Sequence, residues 1–100
     1  MPTFATTPRF RQDVKHLTPQ QRQRFERVVR EEFVPDVDSG RFRPGLRVKR
    51  VQATSGVFEL TWAPDGRATW QYGNPVRHGL RHIIWRRVGT RAIFDPGPPR

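Results

Sequence analysis

The sequence predicts an α+β fold in which an N-terminal strand and a two-helix hairpin pack on a twisted, mainly antiparallel β-sheet. Three observations predict it. Four apolar, β-rich segments lie between Leu46 and Phe94, with turn-forming residues between the earlier pairs. Two capped stretches with helical spacing of apolar residues precede them, behind a short strand-like start. The chain has 100 residues, enough for one domain with one modest core, because a chain of this size buries only about two-thirds of its unfolded surface. Hydrophobic residues make up only 34%, but three Trp, seven Phe and one Tyr concentrate apolar area in a few side chains, so a folded domain is expected. Residues 1–94 are expected to form it, with 95–100 (DPGPPR) as a flexible tail.

Thr3 to Thr6 suits an edge strand. Thr7-Pro8 then supplies a helix N-cap and a proline at the first helical position, and Phe10, Val14 and Leu17 recur on one face of a helix that stops near His16 to Thr18. A second start follows at once. Thr18 is its cap, Pro19 opens it, and Gln21 completes a capping box, while Phe25, Val28, Val29 and Phe33 carry the apolar stripe to an end near Val34-Pro35. Asp36 to Gly45 reads as loop.

In the sheet half, alternate side chains point to opposite faces. In LRVKRVQ (Leu46 to Gln52), Arg47 and Lys49 fall on one face and Leu46 and Val48 on the other. In GVFELTWA (Gly56 to Ala63), Phe58, Leu60 and Trp62 oppose Val57, Glu59 and Thr61; in RATWQYG (Arg67 to Gly73), Ala68, Trp70 and Tyr72 oppose Arg67, Thr69 and Gln71. The last segment, Arg81 to Phe94, mixes apolar and basic residues on both parities, and alternation does not say which side is inside. Thr54-Ser55-Gly56 and Pro64-Asp65-Gly66 supply the turns of two linked hairpins.

The net charge is +10, and its location is informative. Between Arg41 and Arg91 eleven basic residues face two carboxylates, Glu59 and Asp65. Arginine dominates, which favours a bidentate grip on phosphate; a GC-rich coding bias would explain the preference for arginine but not its clustering. The second helix also carries arginines, balanced by Glu26, Glu31 and Glu32, and reads mainly as a solvated face. The absence of cysteine excludes a disulfide framework and a thiolate nucleophile or metal site. MPTFATTPRF lacks a signal peptide's apolar run and no stretch has the length of a membrane span, so a cytoplasmic chain without membrane contact is expected.

The order of FATTPRFRQDVKHL, LRVKRVQ with GVFELTW, DGRATWQYG and HIIWRRVGTRAIF resembles the RelE/ParE superfamily of bacterial type II toxins over nearly the whole chain, in the branch of RelE-like mRNA endoribonucleases. The resemblance implies a metal-independent, cofactor-free nuclease acting on mRNA at the ribosome, inhibiting translation and neutralised by a cognate antitoxin. It also implies no sequence-specific DNA binding without that antitoxin. By matching positions it implies Arg47, Lys49 and Arg91 in the catalytic set, to which Glu59 is added as the candidate base; Arg50, Arg67 and Arg87, the last sharing the parity of Arg91, are expected to bind RNA phosphates. Arg91 stands where relatives often have histidine or lysine, Phe94 where they often have tyrosine, and Glu59 where some have a phosphate-binding arginine. Arginine stays protonated at ordinary pH, so Arg91 can stabilise charge but not exchange protons. Glu59 is either the general base or a residue orienting its basic neighbours.

The alternatives are structural. Arg47 and Lys49 could be an exposed strand face that keeps a sheet soluble, and Arg87 could pair internally with Glu59. Trp62, Trp70 and Trp85 could stack on bases, although core packing suits Trp62 and Trp70 better. His82 reads as an interior or rim residue, His78 as exposed loop, and His16 as a partner of a helix dipole. Beside the nuclease stands a second reading: a non-catalytic protein of the same fold that binds RNA or inhibits a partner such as DNA gyrase.

Overall fold

The computed structural model describes residues 1–95. The expected tail falls, apart from Asp95, outside the described residues. Thr3–Thr6 forms strand β1, and Pro8–Lys15 forms helix α1, capped by the Thr7 hydroxyl, which accepts from the Phe10 amide. Pro19–Val28 forms α2 with its capping box complete: the Gln21 amide donates to the Thr18 hydroxyl, and the Thr18 amide donates to the Gln21 side chain at 2.8 Å. These elements follow the sequence expectations.

The helix does not end at Val34-Pro35. Val29–Phe33 winds as a π turn, in which the Val34 amide bonds to the Val29 carbonyl, and Val34–Ser39 continues as α3. Pro35 follows directly on this π turn, where the i to i−5 shift of the hydrogen-bond ladder accommodates a residue with no N–H to give. Gly40, at φ 77°, closes α3 in the left-handed conformation that glycine adopts most easily. The expected loop from Asp36 is therefore helical at its start, and Asp36 is a buried anchor: its carboxylate accepts from the Arg43 amide, Nε and Nη2 at 2.8, 2.9 and 3.0 Å.

The expected strand from Leu46 is also cut down. Pro44–Leu46 is a 3₁₀ turn, Arg47 follows it at φ 49°, and only Lys49–Arg50 pairs as strand β2. Val57–Thr61 (β3), Gly66–Gly73 (β4) and His82–Thr90 (β5) complete a five-stranded sheet of order β1-β5-β4-β3-β2. All neighbours are antiparallel except β1 and β5, which run parallel with Thr3 beside His82 and Thr6 beside Trp85. Arg91–Phe94 turns off the end of β5 as a 3₁₀ helix.

A β-bulge explains the mixed parity of the last segment. Trp70 pairs with Trp85 while its neighbour Thr69 pairs with Arg87, leaving Arg86 unopposed. The extra residue changes the alternation, so Ile83, Trp85 and Val88 all enter the core. That core lies between the helices and one sheet face. Phe10, Phe25, Phe33, Trp62, Trp70 and Trp85 form a continuous aromatic cluster there, with ring centroids 5.1 to 6.2 Å apart. The three tryptophans are buried and serve packing, not base stacking. Among the described residues no helix is long and apolar enough to cross a membrane.

Candidate nucleic-acid interface

The face of the sheet opposite the helices carries the polar residues. Register places Lys49 opposite Glu59, Glu59 opposite Thr69, and Thr69 opposite Arg87, one row across four strands. Neighbouring strands lie about 4.8 Å apart, so the row extends roughly 14 Å. The adjacent rows contain Val57, Gln71 and Ile84 on one side and Thr61, Arg67 and Gly89 on the other. At the β2 end the row opens into a cleft of about 420 Å³, lined by Lys49, Arg50, Val51, Gln52, Glu59 and Phe94.

Within the cleft, Lys49 Nζ lies 3.5 Å from the Glu59 carboxylate. Only 14% of the Glu59 side chain is exposed, against 72% for Lys49, so the carboxylate is held in place while the ammonium can move. Arg50 is exposed and has no ion-pair partner among the described residues. Phe94 is half-buried and presents an aromatic ring at the cleft. A carboxylate, an ammonium and an aromatic ring suit a nucleotide with its phosphate; Arg50 pairs with Phe58, so it leaves β2 on the other face and lines the cleft from the sheet edge.

Two polar atoms near this row have no partner among the described residues although both are buried: Thr69 Oγ1 and Arg86 Nε. Buried polar atoms are nearly always paired, often by water, and the same lack of a partner at Trp70 Nε1 in the core shows that it does not by itself mark a site. The Arg86 guanidinium also donates to Gln71 Oε1 at 2.6 Å. Thr69, Gln71 and Arg86 did not stand out in the sequence. Thr69 and Gln71 share the parity of Glu59 once the Pro64-Asp65-Gly66 hairpin is registered, which was an available signal; Arg86 depends on the bulge, which was not.

The remaining expected site residues are distributed differently. Arg87 lies in the row, but its Nε bonds to Asp13 Oδ2 on α1 at 2.7 Å, and the same oxygen accepts the Val88 amide at 3.1 Å. Asp13 thereby caps the edge of β5 beyond the end of β1. The internal partner of Arg87 is Asp13, not Glu59. Arg91 Nε bonds to Asp65 Oδ1 at 2.9 Å and its amide to the Asp65 carbonyl, which fixes it to the β3–β4 turn; this guanidinium holds the Asp65 carboxyl below its ordinary range. Arg67 Nη1 donates to the carbonyls of Ala63, Pro64 and Gly66, bracing the same turn.

Arg47 and Lys49 do not share a strand face. Arg47 precedes β2 in a left-handed conformation and lines a separate groove beside α2 with Arg24 and Arg27. His82 Nδ1 lies 2.8 Å from the Thr3 hydroxyl, where it ties β5 to β1, and His16 caps the end of α1; neither lies at the cleft.

No family model and no curated protein matches this sequence. Solved structures match over nearly the whole chain. A chain of the E. coli DinJ-YafQ toxin-antitoxin complex superposes with a TM-score of 0.65 at 14% identity, covering 94% of this chain and 97% of that one. YafQ from E. coli strain BL21(DE3) gives 0.62 at 15%, covering 92% and 96%. HP0892, a conserved hypothetical protein from Helicobacter pylori, gives 0.59 at 17%, covering 92% and 97%. At these identities the likeness establishes the fold, and it is the RelE-like fold that the sequence resemblance implied.

Proposed function

We propose that this chain is the toxin of a type II toxin-antitoxin pair and a metal-independent endoribonuclease that cuts mRNA at the ribosome. The observation that carries the reading is the cleft in which a largely buried Glu59 is held by Lys49 beside an unpaired Arg50, on a fold shared with YafQ. The complex of YafQ with DinJ supports a cognate antitoxin as the partner here. In the proposed reaction Glu59 takes the proton from a ribose 2′-hydroxyl, and the 2′-oxygen attacks the adjacent phosphorus. The bond to the 5′-oxygen breaks, leaving a 2′,3′-cyclic phosphate, and the departing oxygen takes a proton from Lys49. Arg50 stabilises the charge that builds on the phosphate oxygens, and Phe94 stacks on the base.

Primer extension on an mRNA in a translation extract tests this. New 5′ ends that depend on translation, and that disappear with Lys49→Ala or Glu59→Gln, are the expected result. Absence of cleavage at protein concentrations that bind RNA would sink the nuclease reading. A second reading, a non-catalytic RNA binder or inhibitor of a partner such as DNA gyrase, is favoured by one observation: Arg87 and Arg91 are both engaged by carboxylates away from Glu59. A supercoiling assay addresses the gyrase form of it.

A further inference from the structure

A second cluster of cations lies outside the cleft. Arg24 and Arg27, one turn apart on α2, and Arg47, at the entrance to β2, line one groove of about 370 Å³. All three are exposed and none has an ion-pair partner among the described residues; the one carboxylate in the lining is Glu32. Arg47 adopts φ 49°, where a side chain is unfavourable and glycine would be easier. Such conformations collect at functional sites, and here the strained residue adds a third cation to the groove. Only Val48 separates Arg47 from Lys49 in sequence, so the chain entering β2 carries cations into both the groove and the cleft.

We infer that this groove is a second phosphate-binding site, which grips the backbone of an RNA strand where it crosses β2 out of the cleft. The inference rests on the reading of the cleft as an RNA site. RNA suits the groove better than an acidic amphipathic protein segment, because a helix docking there would need apolar anchors. Of the apolar lining residues, Val28 and Trp62 are only 7% and 4% exposed, Ala63 is half-buried and Pro64 alone is exposed, so the groove offers no large apolar pocket to an anchor side chain. Three guanidinium forks around so small an apolar surface fit a chain of phosphates.

Fluorescence anisotropy with non-cleavable 2′-O-methyl RNAs of about 4 and about 16 nucleotides, the range of common single-strand site sizes, separates the two sites. Replacing Arg24, Arg27 and Arg47 together by glutamine should weaken binding of the long RNA about 10-fold or more and leave the short one unchanged. It should also lower the slope of log affinity against log salt by about 2, at about 0.7 for each phosphate no longer neutralised. A control variant with Arg30, Arg41 and Arg77 replaced by glutamine should have little effect. Equal binding of the long RNA by the groove variant and the parent overturns the inference, as does an equal loss in the control. Tighter binding of a poly-glutamate peptide than of long RNA at the groove also overturns it, in favour of a protein partner. Arg47→Gly removes the strain together with the cation, so its melting temperature should hold or rise while its affinity for long RNA falls; unchanged affinity counts against the site. Because these RNAs cannot be cut, a chain that binds them through the groove yet never cleaves mRNA overturns the nuclease reading alone.

Discussion

Glu59 and Lys49 can face each other because β2 and β3 pair there, over just two residues of β2, whereas Arg67, Arg87 and Arg91 are held by other contacts. Glu59→Gln should lower single-turnover cleavage by roughly 10²-fold or more and remove the acidic limb of the pH-rate profile, as expected for loss of a general base. An unaltered profile would reassign Glu59 to orienting Lys49. Asp36 gives a stability prediction. The Arg43 side-chain hydrogen bonds hold its carboxyl below the ordinary value, outweighing the opposing effect of burial. A depressed carboxyl stabilises the fold above its unfolded value of 3.8, and that contribution is lost as pH falls through the lower folded value. Melting curves of Asp36→Asn and the parent should therefore differ most near neutral pH and converge in acid; a constant gap would disprove the linkage. Lys49 and Glu59 were legible in the sequence because one strand pair suffices to join them, with Arg50 next to Lys49 at the sheet edge. Asp13 beside Arg87 was not, since 74 residues separate the partners.

At the scale of elements, local chemistry was readable and irregularities were not. The caps at Thr7 and Thr18 and the turn at Pro64-Asp65-Gly66 depend on residues within four positions, so the sequence shows them. The π turn was hidden because Pro35 reads as a stop. The β5 bulge was hidden because its cause lies in pairing with β4. Asp13 tests how far one helix residue secures a strand edge. Asp13→Ala would leave Arg87 without its carboxylate and the Val88 amide without its acceptor, and should cost about 2–3 kcal/mol, as removal of charged hydrogen bonds does. Urea unfolding measures it; a loss below about 0.5 kcal/mol would mean that water replaces the carboxylate, as at exposed pairs. Thr18→Ala removes the hydroxyl half of the capping box and should cost about 1 kcal/mol. Gly66 permits the tight β3–β4 turn against the core, since a methyl group there would lie 2.6 Å from the Trp62 ring.

For the whole molecule, fold class and element order followed from the sequence, while the parallel pairing of β1 with β5 emerged only in the structure. With a net charge of +10, RNA binding should weaken steeply between low and moderate salt, and the slope counts the phosphates engaged. A salt-independent affinity would mean that the arginines serve solubility. The β1–β5 pairing also orders events in time. Thr3–Thr6 is made before the other strands but has no neighbour until residues 82–85 exist, roughly 4 to 16 s later at ordinary rates of synthesis. Closing so long a loop is slow compared with forming the β3–β4–β5 hairpins, so the strand translated earliest should be the last to dock. Pulse-labelled hydrogen exchange would then show the β1 amides gaining protection after those of β4, and the nascent protein would lack its finished sheet until its last strand had left the ribosome.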